Sequence, residues 1–227
     1  MRSENSPDGQ SANRTFTETA RRAQIVAAAI DTIAELGYGQ ASVARIAEKA
    51  GTSKGVILYH FDGKDDLIRE VAAEVSAKVQ EYMRPRVLAE STGTGMLRAW
   101  IESNLAFMSE YRHQVVAAVE IVLNARSADG RRLFDVPAAA RQGVTDLQQM
   151  LAHFQGTGEF RAGFDPLVMA MAIRAAIDAV PPRLVRDPDF DVAHYARELA
   201  DLFHIATRAE ACRGGPATSN NEQSAEE

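Results

Sequence analysis

The sequence contains one cysteine, no long apolar run and no secretion signal. Cys212 is the single cysteine among 227 residues, so it cannot form an internal disulfide, and it has no Cys or His neighbour at metal-ligand spacing. No window reaches the roughly eighteen consecutive apolar residues of a membrane span, and the N-terminal stretch MRSENSPDGQSANR lacks the apolar core of a signal peptide. We therefore expect a cytoplasmic protein with no membrane association, no metal site and no cofactor.

Strand signals are missing as well. Between the polar ends of the chain, no alternation of apolar and polar residues is long enough to predict a strand. The composition, 46% hydrophobic and 25% charged, is that of a soluble globular protein with a sizeable core. We therefore predict an all-α fold of about nine helices.

Gly and Pro residues divide the chain into a short N-terminal unit and a larger helical body. Residues 1–13 and 211–227 are rich in small and polar residues and are predicted to be a disordered arm and a disordered tail. Residues 14–64 form the first unit and residues 65–210 the body, joined by a long fourth helix over 64–84 that Pro85 ends. The later helices are predicted near 95–111, 113–126, 137–155, 166–181 and 191–209.

The first unit is predicted to contain three helices with clear end signals. The first covers 17–36 and ends at Gly37. The second starts after a Ser42 N-cap and ends at Gly51, a residue type that favours a tight turn with positive φ. A third, capped by Thr52 or Ser53, follows at once, which is the layout of a helix-turn-helix.

The residues of this motif resemble a known family. The stretch AEKAGTSKGVILYHFDGKDDLI is similar to the DNA-binding signature of the TetR family of bacterial transcriptional regulators. The matching positions are Gly51, Ser53, Lys54, Gly55, Ile57, Tyr59, His60, Phe61, Lys64, Asp65 and Leu67. The chain departs from the family at Thr52, where Val is frequent, and at Leu58, where Tyr is usual, so base preference cannot be carried over from relatives.

The resemblance implies a fold and a function. It implies a three-helix DNA-binding domain linked by the fourth helix to a ligand-binding and dimerisation domain. The expected activity is that of a repressor that binds a palindromic operator as a homodimer and is released when a small-molecule effector moves the fourth helix. The charge distribution agrees, because residues 14–64 carry seven cations against five acids although the whole chain has a formal charge of −6.

The third helix is predicted to have an inward and an outward face. Ile57 and Phe61, four residues apart, are expected to anchor it in the core. The outward side offers apolar groups and a cation to base edges, and rings and hydroxyls to phosphates. The candidate DNA-binding residues are Ser42, Thr52, Ser53, Lys54, Gly55, Val56, Leu58, Tyr59, His60 and Lys64, and Arg14, Arg21 and Arg22 are further candidates for flanking contacts.

Two explanations compete for polar residues within apolar stretches of the body. Glu120 is the only charge between Val115 and Leu123, and Asn104 lies within an apolar stripe. Glu120 could pair with an Arg or a water, while Asn104 caps a backbone group. Alternatively, both residues line a small-molecule cavity. The candidate ligand-binding residues are then Trp100, Asn104, Phe107, Glu120 and Asn124.

The last two predicted helices are candidates for the dimer interface. Residues 166–181 present a stripe of small alanines, and residues 191–209 line up Val192, Ala196, Leu199 and Phe203. A different class of function also remains open, namely an enzyme or protein-interaction module in the body with a vestigial DNA-binding head. No catalytic constellation is visible in the sequence, so we predict that the protein is not an enzyme.

Overall fold

The computed structural model describes residues 7–127, 129–133, 136–187 and 189–209, and within these ranges the chain forms α-helices and no β-strand. This confirms the all-α prediction. The helices are α1 (Pro7–Leu36), α2 (Val43–Lys49), α3 (Lys54–His60), α4 (Lys64–Leu88), α5 (Gly93–Glu110), α6 (Arg112–Asn124), α7 (Val136–Gly156), α8 (Pro166–Asp178), α9 (Val180–Arg186) and α10 (Val192–Thr207). We refer to α1–α3 as the head and to α5–α10 as the body. Each described helix is too short or too polar to cross a bilayer.

The short helices of the head end where the sequence predicts. Ser42 and Ser53 are the N-caps of α2 and α3, and their hydroxyl oxygens accept the N–H groups of Arg45 and Val56 at 3.3 Å. Gly37 and Gly51 have φ of 76° and 60°, in the left-handed region that favours glycine. Caps and glycines therefore fix the two turns that orient α3.

Two hydrophobic clusters hold the molecule together. The head cluster consists of buried residues of α1–α3, of the first half of α4 and of one face of α6, which includes Ala117 and Ile121, together with Ala125 just after α6. The body cluster consists of buried residues of α5 and of α7–α10, together with Val115 of α6. Because the head cluster extends along α4 to Val75, it continues past residue 64. The division at that position stays a prediction.

Three helix boundaries differ from the sequence-based expectation. Helix α1 begins at Pro7, so it includes residues 7–13 of the expected disordered arm; Pro is well suited to the first helical position. Helix α4 continues past Pro85 to Leu88, because a single proline removes only one donor and the Ala89 N–H still bonds to the Pro85 carbonyl at 3.1 Å. Residues 1–6 and 210–227 lie outside the described residues.

The third difference is α9, which occupies the segment around Pro181 and Pro182 that was expected to be a break. Proline in a first helical turn costs little, since N–H groups there have no intrahelical partner.

The apolar stripe of α10 packs inside the chain. Val192, Ala196, Leu199 and Phe203 are buried in the body cluster, where α10 lies against α5. The expectation that this stripe faces a partner was therefore wrong, because it covers the chain's own fifth helix. A second apolar face of α10, with Leu202 and Ile205, is exposed.

Candidate nucleic-acid interface

Helix α3 separates into the two faces that its sequence predicts. Ile57 is 0% and Phe61 2% exposed, which confirms that this pair anchors the helix in the head cluster. On the other side Tyr59 is 75% and Leu58 47% exposed, and Lys54 is exposed as well. Val56 and His60 are partly buried at the edges of this face. The outward face therefore presents a ring, an aliphatic chain and a cation to solvent.

The glycine on this face is not required by the protein's own packing. Gly55 lies in the first turn of α3, and a Cβ placed there would meet only the Ser53 hydroxyl, at an ordinary contact distance of 3.7 Å. Its φ is outside the left-handed region. A side chain at this position would therefore fit the isolated protein, and any need for glycine would have to come from a bound partner.

Three candidate DNA contacts lie in the turns just before the short helices: Ser42 before α2, and Thr52 and Ser53 before α3. Thr52 is partly buried, and its N–H donates to the Ala47 carbonyl at 2.9 Å. Ser42 and Ser53 are exposed and act as caps. All three lie where α2 and α3 begin, so their surroundings carry the positive ends of short helices.

Lys64 lies against the turn between α1 and α2. Its ammonium donates to the Tyr38 carbonyl at 3.0 Å and lies 4.2 Å from the centre of the Tyr38 ring. Burial lowers the pKa of this amine, and the negative charge of Asp65 partly opposes the change. Lys64 thus fastens the start of α4 to the head, while keeping further N–H groups for another acceptor.

Arg22 is held inside the head in a similar way. Its guanidinium donates to the His60 carbonyl, forms an ion pair with Glu70 at 3.3 Å, and lies 4.3 Å from the Phe61 ring centre. These contacts tie α1 to the end of α3 and to α4. The Arg22 side chain therefore stabilises the motif.

Glu120 joins the body to the head. Its carboxylate accepts the Tyr38 N–H at 3.0 Å and the Asn124 side-chain amide at 3.1 Å. Its partners are thus a backbone N–H of the head and a neighbour on α6, and no arginine is among them in the described residues; its place in a ligand cavity stays a prediction. Tyr38 consequently connects two helices: its N–H bonds to Glu120 of α6 and its carbonyl to Lys64 of α4.

The five candidate ligand residues divide between the two clusters. Glu120 and Asn124 lie at the end of α6 that packs on the head. Phe107 belongs to the body cluster, and Trp100 packs against it. Asn104 is 5% exposed on the same helix. Next to it, Ser103 is also buried, and its hydroxyl has no hydrogen-bond partner within the described structure.

A surface cleft lies between α4, α5 and α10. Its volume is about 560 Å³, and its polar lining includes Tyr82, Glu102, Glu110 and Arg197. The Tyr82 hydroxyl donates to Glu110 at 2.8 Å. The pKa of Tyr82 is raised, mainly by burial and to a smaller extent by this hydrogen bond. None of the five candidate ligand residues lines this cleft. Sequence reasoning missed it because its residues come from three helices far apart in the chain.

Comparison with known proteins agrees with the geometry of the head. Residues 25–71 match the family described as bacterial regulatory proteins, tetR family. The fatty acid metabolism regulator protein of Bacillus subtilis is 23% identical over 181 residues, which cover 79% of this chain and 92% of that protein. The HTH-type transcriptional regulator BetI 1 of Chromohalobacter salexigens is 40% identical over 85 residues, which cover 37% of this chain and 42% of that protein.

A solved structure extends the likeness of the fold to the body. The crystal structure of the transcriptional regulator FadR from Bacillus subtilis in complex with stearoyl-CoA superposes with a TM-score of 0.68 at 23% identity, covering 79% of this chain and 95% of that one. The match over the helix-turn-helix shows that residues 25–71 are a DNA-binding domain of the tetR family of bacterial regulatory proteins, and these relatives support the function of a DNA-binding transcriptional regulator.

Proposed function

We propose that this protein is a homodimeric repressor that binds a palindromic operator and is released by a small-molecule effector bound in the body. The observation that carries the proposal is the uncovered outward face of α3, on a helix that Ile57 and Phe61 hold rigidly in the head. One short helix contacts too few base pairs for specific recognition. Two heads about one helical turn of DNA apart would read a palindrome.

The ten candidate DNA contacts have different roles in this proposal. Lys54, Val56 and Leu58 face base edges, the cation toward a guanine and the aliphatic groups toward thymine methyls. Gly55 lets the backbone come close to the DNA. The remaining positions hold phosphates through hydroxyls, rings, cations and helix N-termini; they are Ser42, Thr52, Ser53, Tyr59, His60 and Lys64.

We place the dimer interface on α8 and α10. Val168 and Met171 of α8 and Leu202 and Ile205 of α10 are large apolar side chains that remain more than half exposed in the single chain. Their spacing of three residues puts each pair on one helical face. Apolar faces on two helices are what a two-fold symmetric four-helix contact requires.

We propose that the effector binds against α5, near Trp100, Asn104 and Phe107. Two buried polar residues of α5, Ser103 and Asn104, support this position. The Ser103 hydroxyl has no hydrogen-bond partner in the described structure, so it is available to a polar group of a ligand. The Bacillus relative solved with stearoyl-CoA supports a mostly apolar ligand with a polar end. Because Tyr38 links α6 and α4, a ligand that shifts either helix would shift Lys64 and the head.

Release requires that the effector bind the DNA-incompetent form more tightly than the competent one. A ligand that binds the body without changing operator affinity would not be the effector.

The test begins with selection of duplex DNA from a random pool by the wild-type dimer. We expect one palindromic sequence to emerge, with an affinity that falls steeply with salt because phosphates are neutralised. Fluorescence anisotropy over a potassium chloride series measures this. If no sequence is enriched above unrelated DNA, the proposal is wrong, and an enzyme or interaction module with a vestigial head becomes the better interpretation.

A further inference from the structure

A short basic hairpin follows α6. Arg126 and Arg132 face each other in an antiparallel bridge, and the Leu133 N–H donates to the Ala125 carbonyl at 3.1 Å. The Ser127 N–H donates to the Arg131 carbonyl at 2.8 Å, and the turn closes at Gly130, whose φ of 79° favours glycine. The backbone bonds hold three arginines, at positions 126, 131 and 132, on one compact loop.

The hairpin is positively charged and open to solvent. All three arginines are exposed, and the side chain of Arg131 is 86% exposed. One acid, Asp129, pairs with Arg131 at 3.4 Å, and hydrogen bonds from the Ser127 hydroxyl and the Arg131 N–H hold its pKa below the usual value. Within the described residues, Arg126 and Arg132 bond only to main-chain carbonyls, so their charges have no acidic partner.

The hairpin is fastened to the DNA-binding end of the molecule. Helix α6 runs beside α1 in the same direction. Asp31 contacts His113 at 2.9 Å. Seven residues further along both segments, the Tyr38 N–H bonds to Glu120. Past Tyr38 the head chain enters α2 through its Ser42 cap. Past Glu120, α6 extends about 6 Å further to its last residue, Asn124, at the usual rise per residue.

Packing confirms where this end of α6 lies. Ala125 is 1% exposed within the head cluster, and Leu133 packs against the same cluster. The hairpin therefore starts at the end of α6 that packs on the head, just past the contact between Glu120 and the Tyr38 turn, and this turn leads into α2.

Acids of the chain neutralise part of the positive charge of the head. Lys49 pairs with Glu35 at 2.6 Å and Arg22 pairs with Glu70. Two of the seven cations between residues 14 and 64 are thus paired with acids, on a protein whose formal charge is −6. Phosphate contacts from outside the head would add to the charge that remains there.

We infer that the arginines of this hairpin contact the phosphate backbone of operator DNA beside the N-terminus of α2. This rests on the proposed function. Guanidinium groups bind phosphate oxygens with two parallel hydrogen bonds, and such contacts add affinity without reading sequence. Because the hairpin continues from α6, the contact makes operator affinity depend directly on the position of a body helix.

The test compares two double variants that remove the same charge. R126Q/R132Q changes the hairpin. The control, R183Q/R186Q, changes two exposed arginines of α9. Helix α9 packs on the first residues of α6, near Arg112, whereas the hairpin follows the last residue of α6. With the duplex selected by the wild-type protein, the hairpin variant should lower the slope of log affinity against log salt by about 0.9 for each phosphate that it no longer neutralises. It should weaken binding to an unrelated duplex by the same factor, while the α9 variant keeps the wild-type slope.

A third variant should move the result in the other direction. Asp129→Asn keeps an acceptor for the turn but frees Arg131, so affinity and salt slope should both increase. Equal slopes for the hairpin and α9 variants, or no increase in D129N, would overturn the inference. A wild-type protein that selects no duplex would instead contradict the proposed function.

Discussion

The head and the body distribute their candidate functional residues differently along the chain. The ten candidate DNA contacts lie between residues 42 and 64, nine of them in the head and Lys64 at the start of α4, and two serine caps and two positive-φ glycines orient the helices of the head. In the body, the α4–α5–α10 cleft takes residues from Tyr82 to Arg197. Local chemistry therefore positions the head's residues, whereas long-range packing positions those of the body.

The two regions are joined by apolar packing of α6 on the head cluster and by a small set of polar contacts. Tyr38 bonds to Glu120 and to Lys64, and His113 meets Asp31. Apolar packing between α1 and α6 supports these bonds. Separate substitutions should consequently distinguish the stability of the head, the assembly of the body and the connection between them.

The largest expected effect is on the anchor of α3. Phe61→Ala removes a side chain that is 2% exposed in the head cluster, so the free energy of unfolding of the head should fall by about 3–5 kcal/mol. Thermal unfolding followed by circular dichroism would measure this. Tyr59→Ala is the matched control, because that ring is 75% exposed: its melting temperature should stay near wild type while operator affinity falls. Equal loss of stability in both variants would contradict the two-faced description of α3.

Sequence patterns were sufficient for the head because its signals are local. The N-cap serines, the glycine turns and the Ile57–Phe61 spacing can be identified within about twenty residues, and each has one physical meaning. The structure places all of them as expected.

The body could not be predicted to the same depth. Glu120 stood out as a lone charge, but its partner is a backbone N–H 82 residues away, which no local pattern reveals. The α10 stripe was assigned to a partner because burial against α5 and burial against a second chain give the same periodicity. The arginine hairpin did have a local signal, an Asp-Gly turn between arginines, that indicates a tight turn.

The next effect concerns the proposed dimer interface. Met171→Asp places a charge on the exposed apolar face of α8. Dimer formation would bury this charge without a partner, which should cost several kcal/mol. A cost of about 3 kcal/mol corresponds to a hundredfold weaker dimer. Sedimentation velocity measures the assembly, and operator affinity should fall with it. Val185→Asp on α9, which is similarly exposed, should leave the dimer intact. A Met171→Asp protein that dimerises like wild type would remove α8 from the interface.

A smaller effect is expected where the body meets the head. Glu120→Ala leaves the partly buried Tyr38 N–H without its acceptor, so stability should fall by about 1–3 kcal/mol. Operator affinity should fall as well, since Tyr38 also holds Lys64. Leu123→Ala, on an exposed position of the same helix, is the control and should change neither. If Glu120→Ala reduces stability and leaves operator affinity unchanged, Tyr38 does not connect α6 to the DNA contacts.

The smallest expected effect is at Gly55 of α3, where one substitution should raise stability and lower operator affinity. Gly55→Ala places a Cβ where it meets only the Ser53 hydroxyl at 3.7 Å, and alanine is the better helix former, so stability should rise by about 0.5–1 kcal/mol. If the backbone at Gly55 approaches the DNA closely, the same methyl group should lower operator affinity. Thermal melting and anisotropy on one preparation measure both quantities. A variant that is more stable and binds the operator as well as wild type would show that this part of α3 stays clear of the groove, and would move base recognition to Leu58 and the later residues of the helix.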